Sequence, residues 1–120
     1  MKYVALLTNT EEDRVRWEAM SPDEAAAARA AEMPKWMALF EELGPHTVDS
    51  HELDEPAAAR TVRVRDGETH VTDGPYAETK EQLGGIFLLD CEDLDQAIAL
   101  VAKIPVAERA SVELRPIVER

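Results

Sequence analysis

A chain of 120 residues with 45% hydrophobic residues holds material for one core, so a single domain over residues 1–120 is expected. Its 25 acidic against 13 basic residues give a net charge of −12, which disfavours nucleic acid and anionic membrane, because phosphate binding relies on Lys and Arg displacing counterions. The lone Cys91 excludes an internal disulfide and suits a reducing compartment. The opening apolar run is too short for a secretory signal, and nothing later approaches the ~20 apolar residues of a membrane span, so a soluble cytoplasmic protein is expected.

Lys2 to Thr8 reads as a buried first strand. Glu11 to Met20 is charged, with Val15 and Trp17 interspersed, and reads as a short surface helix. Ser21-Pro22-Asp23-Glu24 then opens a longer helix, with Ser21 as cap, Pro22 in the first turn and Glu24 closing a capping box. Met33, Trp36, Met37, Phe40 and Leu43 recur at three-and-four spacing, predicting the face that packs on a sheet. Pro34 lies inside this pattern and predicts a kink or break near Ala30 to Met33. Gly44-Pro45 ends the helix, and His46 to Leu53 reads as a second strand.

Thr61 to Arg65 and Glu68 to Thr72 flank Asp66-Gly67, the pair preferred in two-residue type I′ hairpins. That register pairs Val62 with Val71, Arg63 with His70, Val64 with Thr69 and Arg65 with Glu68. Val62, Val64, Thr69 and Val71 then share one face, expected inward. After a polar loop comes Ile86 to Cys91, an apolar run expected to be buried on both faces, with Cys91 as a structural thiol rather than a nucleophile. Asp93 and Gln96 start another helix, whose stripe is Leu94, Ala97, Ile98, Val101 and Ala102. Ser111 to Val118 closes the chain as a strand, and Pro116 marks an edge or the strand's end. With the hairpin set aside, the order is βαββαβ, an α+β ferredoxin-like fold with an inserted hairpin. Two helices cover one sheet face. The other has no cover in this chain, so a homodimer packed sheet to sheet is expected.

Between the hairpin and the apolar run lies Asp73-Gly74-Pro75-Tyr76, followed by Glu78, Lys80 and Glu81 before Gly84-Gly85. Together with the opening strand, the Thr61–Thr72 hairpin, Ile86-Phe87-Leu88-Leu89 and Ser111 to Pro116, this motif resembles the YCII-related (DGPF-domain) family over nearly the whole chain. Tyr76 stands where the family's signature usually has phenylalanine. The resemblance implies a dimeric α/β-barrel of ferredoxin-like protomers with a cleft near the motif. It also implies a small-molecule-binding protein or an enzyme whose biochemical role is largely undefined, and in many members a link to sigma-factor genes. Some relatives carry a His–Asp pair with the histidine on the first helix; here no histidine lies between Ser21 and Leu43. Asp73 matches the aspartate alone.

The turn at Gly74-Pro75 can aim Asp73 at a cleft as a base or polar anchor, with His70 the nearest histidine. Tyr76, Glu78, Lys80 and Glu81 are the candidate binding residues; the alternative is a solvated turn carrying surface ion pairs. His46, His51 and His70 have no metal-ligand spacing, and Gly84-Gly85 lacks a phosphate-loop pattern, so neither metal nor cofactor is expected. A second reading, from the acidic surface, is a regulatory module that contacts a basic protein partner in transcription.

Overall fold

The computed structural model describes residues 1–77 and 81–120. Strand β1 spans Lys2–Thr10, and helices α1 (Glu11–Glu18) and α2 (Pro22–Leu43) follow. Next come β2 (Thr47–Glu52), the hairpin strands β3 (Arg60–Arg65) and β4 (Glu68–Asp73), and β5 (Glu81–Asp90). Helices α3 (Leu94–Val101) and α4 (Val106–Arg109) and strand β6 (Val112–Pro116) complete the chain. The main sheet is antiparallel in the order β2-β5-β1-β6, and the hairpin forms a separate two-stranded sheet. This is the ferredoxin-like α+β arrangement expected, with the hairpin as the insertion.

Alternation along the strands sorts the main sheet into two faces. Tyr3, Ala5 and Leu7 of β1 and Phe87 and Leu89 of β5 are buried in one core with Leu39, Leu43, Ala97, Leu100, Val101 and Ile104 from the helical side. The intervening Val4, Leu6, Ile86 and Leu88 are only half-buried. The run Ile86 to Cys91, expected to be covered on both faces, is thus covered on one. With a shortest dimension of 19 Å, the molecule is a sheet with one helical layer.

Helix α2 starts as its sequence dictates: Ser21 Oγ accepts the Glu24 N–H at 3.1 Å, and a Glu24 carboxylate oxygen accepts the Ser21 N–H at 3.4 Å. It runs unbroken through Pro34, against the expected break. A proline costs the helix one hydrogen bond, and here the capping box secures one end while burial of Leu39 and Leu43 secures the other. The packing seam keeps Trp36 and Leu43 of the expected stripe and adds Leu39. Met33, Met37 and Phe40 lie about one residue round the helix and are exposed. Helix α3 shows a similar rotation, burying Ala97, Leu100 and Val101 while Leu94 and Ile98 face solvent. Arg109 of α4 ties the helical layer together, meeting Glu32 at 2.8 Å and Asp13 at 3.6 Å.

The hairpin has the predicted register throughout, with Asp66 and Gly67 at φ 52° and 77°. Its apolar face, however, is not turned inward: Val62, Val64 and Val71 are 60%, 57% and 59% exposed. No helix of the described residues is long and apolar enough to cross a membrane.

The seam on α2 makes a direct prediction. Leu43→Ala should lower unfolding stability by about 2–5 kcal/mol, because the side chain is fully buried. Met37→Ala, on the solvent side of the same helix, should change it by less than about 0.5 kcal/mol. Urea denaturation of both variants checks the assignment.

Candidate functional site

The Asp73-Gly74-Pro75-Tyr76 turn is held from the hairpin side. Gly74, at φ 91°, donates its N–H to Ala59 O at 2.8 Å, and its carbonyl accepts from Thr61 Oγ1 at 2.9 Å. A side chain at this φ would be strained, which accounts for glycine there. Farther along, Gln82 Nε2 donates to Ala77 O at 2.9 Å. The turn is therefore anchored on both sides by bonds to its own backbone carbonyls.

Beside it lies an open hollow of about 340 Å³. Leu53, Pro56, Ala58, Ala59, Pro75 and Leu83 make it mainly apolar, and Asp54, Glu55 and Gln82 bring polar groups. The β1–β5 register places Leu83 opposite Thr8 and shifts between Leu7 and Thr8, so that Gly84 has no partner on β1. A Cβ on Gly84 would fall 2.2 Å from Asn9 Nδ2, so this glycine leaves room for the Asn9 side chain beside the bulge. The bulge leaves Leu83 on the sheet face that the helices do not cover. The hollow thus sits at one end of that bare face. A second depression of about 390 Å³ shares Leu53, Asp54 and Glu55 and adds Glu52 and Arg29, whose guanidinium lies 5.5 Å from the Trp17 ring centre.

The candidate residues are dispersed. Asp73 does not line the hollow; it ends β4 and forms an exposed pair with Arg60 Nε at 3.2 Å. His70 lies three residues away on the same strand, hence on the opposite face, with Glu68 at 3.8 Å. The structure does not bring Asp73 and His70 together. Tyr76 is 82% exposed, and Pro75 is the motif's contribution to the hollow. Glu81, expected in a loop, is the first residue of β5, and its carboxylate accepts from Ser111 Oγ at 3.3 Å. Glu78 and Lys80 lie outside the described residues. Among those described, no three His, Cys, Asp or Glu side chains form a group able to hold a metal. Cys91 is buried, and desolvation pushes its thiol pKa up.

One pair was missed from sequence. On β2, His51 Nε2 meets Asp49 Oδ2 at 3.1 Å, while Asp49 Oδ1 accepts the Ser50 N–H at 2.9 Å. The His51 hydrogen bond, then that of Ser50, holds the Asp49 carboxyl below its ordinary pKa. The signal was present: an aspartate and a histidine two apart in a strand share a face. The third histidine, His46, sits apart, with Nδ1 3.1 Å from Asp90 O.

A carboxyl depressed in the folded chain adds stability above its unfolded pKa, near 3.8, and that stability is lost as pH falls through the folded value. Asp49→Asn should therefore show a smaller fall in urea midpoint between about pH 5 and about pH 3 than the parent chain. Denaturation series at the two pH values measure the difference.

Comparison with known proteins bears on family and fold. The YCII-related domain matches residues 1–120. An uncharacterized protein of Rhizobium meliloti (strain 1021) is 35% identical over 119 residues, covering 98% of this chain and 92% of that one. Among solved structures, 5-chloro-2-hydroxyhydroquinone dehydrochlorinase from Burkholderia phenoliruptrix AC1100, in complex with 2,5-dihydroxybenzoquinone, is similar in fold. Its TM-score is 0.50 at 12% identity, covering 100% of this chain and 96% of that one. With its whole length matched, the chain belongs to the YCII-related domain family.

Proposed function

We propose that the chain is a small-molecule-binding protein of enzymatic type, whose site is the hollow beside the Asp73–Tyr76 turn, completed by a second copy packed over the bare sheet face. The observation that carries this reading is the hollow itself: mainly apolar walls with a few polar groups, the make-up of a small-ligand site. At about 340 Å³ it is at the small end of such sites and suits a single ring with polar substituents. The dehydrochlorinase of similar fold was solved with a molecule of that kind, a dihydroxybenzoquinone. In one chain the hollow lies open along the sheet. A partner across that face would roof it, excluding water and strengthening every polar contact inside.

In this reading Asp73 is the proton acceptor or polar anchor, freed from Arg60 when ligand arrives. Tyr76 and Glu81 are the candidate contacts at the hollow's mouth. His70, on the opposite strand face, takes the lesser part.

The test is calorimetric titration with 2,5-dihydroxybenzoquinone and a panel of hydroxylated single-ring aromatics. A binder is expected, and Leu83→Asp, which puts a charge in the apolar wall, should weaken it at least about tenfold. Asp73→Ala should abolish any turnover found with that binder. Equal binding by the parent and the Leu83→Asp chain would remove the site from the hollow, and no binding anywhere in the panel would contradict the ligand class.

A further inference from the structure

Strand β2 brings a titratable pair to the edge of the hollow. After the irregularity between Thr47 and Asp49, the β2–β5 register sets Asp49 opposite Leu88 and His51 opposite Ile86, both half-buried residues of the bare face. Ser50 lies between them opposite Phe87, on the core side. Two residues beyond His51, and so on its face, Leu53 donates its N–H to Gly84 O at 2.9 Å and lines the hollow with Leu83. Same-face neighbours on a strand are about 7 Å apart, which puts the imidazole beside the hollow.

The pair is arranged for proton transfer. An ionised carboxylate only accepts, so the Nε2 that meets Asp49 Oδ2 at 3.1 Å carries the ring proton, and Nδ1 keeps its lone pair. The Ser50 N–H, 2.9 Å from Asp49 Oδ1, fixes the carboxylate in turn. A base is thus oriented by a carboxylate that is itself held. The other two histidines lack this: His46 Nδ1 is 3.1 Å from Asp90 O, and His70 Nε2 is 3.8 Å from Glu68, beyond hydrogen-bond distance. Charge points the same way. The hollow's ionisable lining is Asp54 and Glu55, with no Lys or Arg among the described residues. From β5, the positions facing His51 are Gly84, Ile86 and Leu88, none of them titratable. A ligand that gives up a proton in the hollow leaves an anion, and His51 is the neighbouring group able to become a cation.

We propose that His51 is the acid–base residue of this hollow, exchanging a proton between Nδ1 and a ring hydroxyl of the bound ligand, and that Asp49 positions it. The ligand O–H bond breaks as the Nδ1–H bond forms, and the electron pair stays on the ligand oxygen. Asp49 balances the imidazolium. With a ligand that arrives ionised, His51 takes its proton from solvent on binding and presents Nδ1–H to the ligand oxygen. This rests on the reading that the hollow takes a hydroxylated ring, and deepens it by naming the group that handles the proton; Asp73 is then the polar anchor. The two side chains are 61% and 60% exposed in the single chain, so substituting them leaves the core untouched.

Calorimetric titration with 2,5-dihydroxybenzoquinone at about pH 8, where an ordinary imidazole is neutral, in buffers of differing ionisation enthalpy, counts the protons exchanged on binding. This ligand is a vinylogous acid and enters ionised, so the parent should take up protons. His51→Gln, polar but unable to titrate, should bind less than about tenfold more weakly and show no uptake. Asp49→Asn should show uptake only at lower pH, because losing the carboxylate disfavours the imidazolium. With any panel compound that is turned over, His51→Gln should lower kcat about 100-fold or more at similar KM. Uptake equal in the parent and His51→Gln, or no uptake in the parent, with binding still weakened by Leu83→Asp, would overturn the pair and leave the hollow as the site. Binding that ignores Leu83→Asp, or no binding at all, would remove the hollow and the pair together.

Discussion

An antiparallel sheet has two faces, and the described residues of this chain supply helices for only one. The covered side is well built: Tyr3, Ala5, Leu7, Phe87 and Leu89 interdigitate with residues of α2, α3 and the segment leading into α4. On the reverse side no layer of the described residues lies over Val4, Leu6, Ile86 and Leu88. At roughly 25 cal/mol per Å² of apolar surface, leaving such a face in water forfeits stabilisation that a neighbour could supply. The same deficit recurs in the hairpin, whose valines form an apolar face turned to solvent. A lone two-stranded hairpin is at best marginally stable, so this arm too calls for packing.

That imbalance also bears on the proposed site. The hollow lies where the bare face ends, between the chain after β2 and the turn after β4. The turn shapes the hollow through Pro75 and its backbone anchors rather than through the Asp73 carboxylate, which points to Arg60. The bulge at Gly84 turns Leu83 into the wall, and the missing side chain of Gly84 leaves room for that of Asn9. The proposed ligand site and the proposed pairing of two chains thus draw on one surface, and the reading of either constrains the other.

Much of this was legible in the residues, where local chemistry decides the outcome. The Asp66-Gly67 turn predicted the hairpin register pair by pair, and Ser21 with Glu24 predicted the capping box. The ferredoxin-like order followed from strand and helix succession. What sequence could not place was rotation. On α2, the Met33, Met37 and Phe40 side chains have the same spacing as a buried seam, and only packing decided for Trp36, Leu39 and Leu43. Pro34 was overestimated because one missing hydrogen bond is small beside anchoring at both helix ends. The candidate site suffered from reading proximity along the chain as proximity in space. His70 and Asp73 are near neighbours in sequence yet face opposite ways, whereas Asp49 and His51, two apart, touch.

The central claim is that the bare sheet face is an interior surface awaiting its counterpart. Light scattering coupled to size exclusion tests it most directly, comparing the parent chain with a Leu6→Arg variant that puts a charge at the centre of that face. The account predicts a parent mass near twice 13.3 kDa and a folded variant at the single-chain mass. A parent chain at 13.3 kDa across micromolar concentrations, or a variant that pairs as the parent does, would contradict it.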